Sequence, residues 1–215
     1  MYLVFVYTLC LLMLLQILYF LQYYFEFKTI ETLYYALFIF CNLIYNIFNF
    51  KDFFLQNFFL HNDSFLNIDY ILSIGFYYLF IKHLLNINNK NKKLNKLFNT
   101  LTNLNIVLLL IFTILAMANI SSNVLLWSLI VLFFPVYVYG IFKVNKIKLP
   151  YTKYVTVAVL FLTICMSITA FLSLLNNYKY PMSNWEIDLP LQIGLLADLI
   201  LFSIAIHKKY SAIRY

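Results

Sequence analysis

Glycine occurs only three times in this 215-residue chain, at Gly75, Gly140 and Gly194. A loop that cradles phosphate needs several glycines close together, so that class of substrate site is excluded. Charge is scarce too: 11% of residues are Asp, Glu, Lys or Arg, against about 25% in soluble domains. So little polar surface cannot cover a water-soluble globule. The three cysteines, Cys10, Cys41 and Cys165, all lie in apolar stretches without metal-ligand spacing, and read as small packing residues. His61, His83 and His207 never stand three or four apart, and no acid completes a metal set. The HExxH and GxSxG motifs are absent. No metal, no cofactor and no enzymatic activity are expected, and no interspan loop is long enough to bury a core of its own.

What the chain has in abundance is apolar sequence, 64% of its residues. Crossing a hydrocarbon core takes about 20 such residues in a helix. Seven stretches qualify: Tyr2–Phe25, Leu33–Phe50, Ile68–Ile81, Leu104–Ile120, Val124–Phe142, Tyr154–Leu175 and Leu189–Ile206. The third is short and borrows Leu84 and Leu85. The expected fold is an all-α integral membrane protein, one seven-transmembrane-helix bundle over residues 1–215. KDFFLQNFFLHNDSFLN, between the second and third spans, reads as an interfacial or re-entrant connection.

The net charge of +7 is a topology signal and gives no reason to expect nucleic acid. Threading the seven spans puts thirteen of the fifteen basic residues on one side. Lys28, Lys82, Lys90, Lys92, Lys93, Lys96, Lys143, Lys146, Lys148, Lys153, Lys208, Lys209 and Arg214 gather there. Lys51 and Lys179 fall on the other side, with Asp52, Asp63, Asp69, Glu186 and Asp188. Positive residues stay cytoplasmic, so the N-terminus is expected outside and the C-terminus in the cytoplasm. Lys90, Lys92, Lys93, Lys96, Lys208 and Lys209 are the expected basic anchors. The loop Asn86–Lys96 holds its flanking spans inside-facing and would also suit contact with anionic headgroups. Met1 is followed at once by apolar residues, unlike a secretory signal. That start suits an outside N-terminus, or a chain cut from something longer.

Within the seventh span, LQIGLLADLILFSIAIHKK, Asp198 is the one carboxylate expected deep in the bilayer. A charge at that depth costs about 2.5–3.5 kcal/mol on insertion scales. Gly194, four residues earlier, shares its face and admits a close neighbouring helix. Three roles stay open for Asp198: a polar node that differs between two packings, a hydrogen-bonded lock between helices, or a proton or ion site. Asn42, Asn46, Ser167, Thr169, Gln192 and Ser203 are the other intramembrane polar groups considered, though Gln192 does not share the face of Asp198. Pro135 is expected to kink the fifth span. Pro181 and Pro190 flank an outer loop in which Trp185 reads as an interface anchor.

The pattern Gly194-x-x-x-Asp198 followed by Leu201-Phe202-Ser203-x-Ala205 and then Lys208-Lys209 resembles the last helix of a bacterial family. Its members are the seven-transmembrane receptors with diverse intracellular signalling modules. TLYYALFIF (Thr32–Phe40) resembles that family's aromatic start to the second span. FYYLFIKHLL with the basic loop after it resembles its third span and cytoplasmic connection. Two departures stand out: Asp where members usually carry Glu, and no proline between Asn86 and Leu97. Members typically carry an extracellular ligand-binding domain before the bundle and a cytoplasmic output after it, and neither falls within these residues.

The resemblance implies a non-enzymatic signal-transducing domain in a bacterial inner membrane. A stimulus at the outer face or within the bundle would shift helix packing, and the last span would pass that shift to a cytoplasmic module or partner. Asp198, Gly194 and Ser203 would form the packing node, and a homodimer follows by family analogy. The rivals are a small proton-coupled transporter titrating at Asp198, or a structural subunit of a membrane complex. Transporters tend to pair proline-interrupted helices. Here one proline-broken span has no counterpart.

Overall fold

The computed structural model describes residues 2–49, 63–87, 91–118, 120–147, 149–178 and 184–211. Among these there are seven helices and no strand. They are α1 (Tyr2–Phe27), α2 (Ile30–Asn49), α3 (Asp63–Leu84), α4 (Lys92–Met117), α5 (Asn123–Val144), α6 (Thr152–Tyr178) and α7 (Asn184–Ser211). All seven are long and apolar enough to cross a membrane. The expected count stands, and most ends move outward, although the fourth span stops at Met117, short of Ile120. At 1.5 Å per residue, the 26 residues of α1 extend about 39 Å, past a hydrocarbon core of about 30 Å. Beyond the core, backbone hydrogen bonding carries each helix into polar sequence that a hydropathy reading assigns to loops.

Three expectations change as a result. The loop Asn86–Lys96 already becomes helical at Lys92. Asp63–Asn67, assigned to the connection before the third span, form the first turn of α3; the rest of that connection lies outside the described residues. Pro190, assigned to a loop boundary, sits in the second turn of α7, where it withholds the one backbone hydrogen bond its position would donate to the preceding turn. Lys90, Lys148, Pro181 and Arg214 lie outside the described residues. At Pro135, α5 continues as helix on both sides.

The chain divides into two compact units, Met1–Asn123 and Val124–Tyr215. In the first, each helix packs on the next: α1 on α2, α2 on α3, α3 on α4. Its core is aromatic. Tyr35 stacks on Phe80 at 4.4 Å between ring centres and meets Phe20 edge-on at 4.9 Å. Phe38 approaches Tyr77 at 4.7 Å. The two stretches that carry the family resemblance in α2 and α3 thus pack face to face.

Several polar side chains in this unit are paired across helices. Asn42 donates from Nδ2 to the Ser73 hydroxyl at 2.7 Å and to its own helix at Phe38. Asn105 donates to the Ile71 carbonyl at 2.8 Å. Gly75 makes that possible, because a Cβ there would collide with the Asn105 amide oxygen. At the opposite end from the lysines, Asn67 donates to the Ser122 hydroxyl at 2.9 Å and to Asn123 Oδ1 at 2.7 Å. At the lysine end, α1 closes with Lys28 and α3 is followed by Asn86, both in the left-handed region, as chain reversals after helices require. Lys82 donates to Asn99 at 2.6 Å, and His83 meets the Tyr34 ring at 5.4 Å. Lys92, Lys93 and Lys96 are exposed at the start of α4.

Asp198 is not the only buried carboxylate. Asp69, counted among the outer-side acids at the edge of the third span, is a helical residue of α3 with 6% of its surface exposed. Its side chain lies against that of Cys41, while its Oδ2 has no partner among the described residues. Glu31 and Asp188 are buried as well.

Candidate functional site

The second unit is built around the pairing of α6 with α7. Three contacts fix its geometry. The Leu191 amide donates to the Thr169 hydroxyl at 3.1 Å. Gly194 faces Cys165 and Leu162. Lys208 Nζ donates to the Tyr154 hydroxyl oxygen at 2.7 Å. Residue numbers rise along α7 as they fall along α6, so the pair is antiparallel.

The buried positions make a seam. Among them are Tyr151, just before α6, and Val155, Ala158, Leu162, Cys165 and Thr169 of α6, facing Asp188, Leu191, Leu195, Asp198, Phe202, Ala205 and Lys209 of α7. Steps alternate between three and four residues, the spacing of a coiled-coil face. Small residues at Ala158, Cys165, Gly194 and Ala205 let the two backbones come close. A Cβ on Gly194 would lie 2.7 Å from the Cys165 Cβ, so glycine is required at this spacing.

Asp198 is 1% exposed and lies one turn beyond Gly194 on the same face. It is engaged within the fold. Ser203 stands off that face, half-buried, and its hydroxyl donates to the Leu199 carbonyl of its own helix at 2.6 Å. Ser167 likewise donates to Thr163 at 2.8 Å. Short hydroxyls in membrane helices commonly satisfy themselves in this way. Gly194 and Asp198 are therefore brought together, while Ser203 and Ser167 make intrahelical bonds.

Two seam residues escaped sequence reasoning. Asp188 was assigned to the outer loop and Lys209 to a basic tail, yet the fold exposes only 5% and 7% of them. The signal was there: Asp188, Asp198 and Lys209 all fall on one alternation of threes and fours. No cluster of three or more metal-ligating side chains occurs among the described residues.

No curated protein and no solved structure matches this chain. Residues 1–209 match the family described as 7TM diverse intracellular signalling. Nearly the whole chain, including both units and every helix but the last two residues of α7, lies inside that match. The chain therefore belongs to the 7TM diverse intracellular signalling family, as a multi-pass membrane protein of the sensor or receptor kind.

Proposed function

We propose that α7 is the output element of a non-catalytic sensor, carrying a change in helix packing to a cytoplasmic module or partner. In this reading the N-terminus is outside, the C-terminus is in the cytoplasm and the membrane is a bacterial inner membrane. The observation that carries it is the seam of α7. A helix of 28 residues, about 42 Å long, holds a buried acid near its start, another at its middle and a lysine at its end. At Gly194 it meets α6 with a glycine seated against the Cys165 Cβ.

Such a contact does not slide smoothly. Rotating α7 replaces Gly194 at the contact by a leucine or isoleucine, so the helix has discrete seats, as a two-state relay requires. The polar residues on the same face select between seats, because moving any one of them off its partners leaves a buried group unsatisfied. A stimulus then needs only to bind one arrangement better than the other.

The test is a chimera with a histidine-kinase output module joined after Ser211, with one to four alanines inserted at the joint. Autophosphorylation in membranes should rise and fall with a period of about 3.6 residues. A flat response to insertion would sink the relay. Proton flux into liposomes that required Asp198 would instead support the rival carrier reading.

A further inference from the structure

Where α6 begins and α7 ends, three side chains form an arrangement that the seam does not use. Lys208 donates to the Tyr154 hydroxyl oxygen at 2.7 Å and stands 4.6 Å from the centre of the same ring. Lys153 stands 5.1 Å from that centre. Two ammonium groups are thus gathered around one tyrosine. Neither has a carboxylate partner among the described residues: the nearest acid in α7 is Asp198, ten residues before Lys208, about 15 Å along the helix. Lys143, in the last turn of α5, and Lys146, on the turn after it, add positive charge at this end of the unit.

Like charges so placed repel, and the face of the Tyr154 ring offsets only part of that. An anion between the two ammonium groups would relieve that repulsion. The available donors are two ammonium groups and the phenol, whose oxygen accepts from Lys208 and whose own proton remains free to donate. Donors converging from different directions suit a phosphate, which offers several oxygens, better than a planar carboxylate.

The surroundings indicate where that phosphate comes from. From Lys153, an exposed apolar stripe runs along α6 through Val157, Leu160, Ile164, Ile168 and Phe171, each between 40% and 58% exposed. A tyrosine and lysines at the end of a membrane-length helix, above such a stripe, lie at headgroup level. We propose that Lys153, Tyr154 and Lys208 bind the phosphate of an anionic phospholipid whose acyl chain lies along the exposed face of α6. The bound headgroup ties the last turn of α7 to the first turn of α6. This site stands independently of the relay, since lipid retention is measurable without any output.

The whole chain in phosphatidylcholine nanodiscs containing some phosphatidylglycerol, analysed by native mass spectrometry, tests it. Phosphatidylglycerol should be retained in preference to phosphatidylcholine. Lys153→Met and Lys208→Met should each weaken retention about tenfold, the scale of losing one charged hydrogen-bond partner. Lys146→Met, which removes a nearby charge outside the clamp, should leave retention unchanged. Equal losses in all three variants would mean diffuse attraction and would overturn the site, as would an absence of preference in the unaltered protein. Glycerol phosphate added to pure phosphatidylcholine discs should not bind saturably; if it binds as tightly as the lipid, the ligand is a soluble phosphate and the lipid assignment falls. Should a lysine variant fail to fold, a photoreactive phosphatidylglycerol on the unaltered protein decides. Crosslinks at Val157 or Leu160 are expected, and their absence rejects the proposal.

Discussion

Gly194 shows how much one missing methyl can determine. The clash awaiting a larger residue is with the Cβ of Cys165, at 2.7 Å, and with Leu162 Cδ1 at 3.2 Å. No change of rotamer at Cys165 moves its Cβ, so Gly194→Ala must push the helices apart. Overpacking of this kind costs about 1–3 kcal/mol, which thermal unfolding in detergent would register. Cys165→Ala keeps the offending Cβ and should rescue nothing, whereas Cys165→Gly should restore much of the loss. Equal rescue by both would show that the sulfur, and not the Cβ, sets the spacing. Asp198 was legible because it stands alone in an apolar run. Asp69 was not, because it follows Asp63, Ser64 and Asn67 at the very edge of the third span, where an acid reads as facing the outer surface. Only the pairing of α2 with α3, which sets Cys41 against it, shows that its side chain turns inward.

Among elements, the approach of α3 to α4 turns on a second glycine. Gly75 leaves room for Asn105 to reach the Ile71 carbonyl. Gly75→Ala would dislodge that amide and lose one interhelical hydrogen bond, about 0.5–1.5 kcal/mol and on average about 0.6 in membrane proteins. In an Asn105→Ala background the same change should be nearly neutral, because no amide is left to displace. A double-mutant cycle in detergent measures this, and strict additivity would contradict the contact. The helices themselves were readable from runs of apolar residues. Their ends were not, since lysines at the start of α4 and acids at the start of α7 remain helical once they emerge from the hydrocarbon. Asn105 passed unnoticed because a lone asparagine in a span carries no mark of its partner. The single glycine of the third span was the available clue.

At the scale of the molecule, each unit carries its basic groups at one end. Lys28, Lys82, Lys92, Lys93 and Lys96 do so in the first, and Lys143, Lys146, Lys153 and Lys208 in the second. The expected orientation then predicts a labelling pattern. Single cysteines at Asn86 and Lys146 should react with an impermeant maleimide only from the cytoplasmic side, and one at Ser121 only from outside. Labelling of Asn86 and Ser121 from one side would refute that orientation and the relay that depends on it. One more consequence lies in the bond between Leu191 and Thr169. A backbone proton of the last helix is held by a side chain of its neighbour, so its exchange with deuterium should follow the separation of the two helices. Recorded by NMR during stimulation, that single amide would act as a gauge built into the protein, reading the opening of the pair with no label attached.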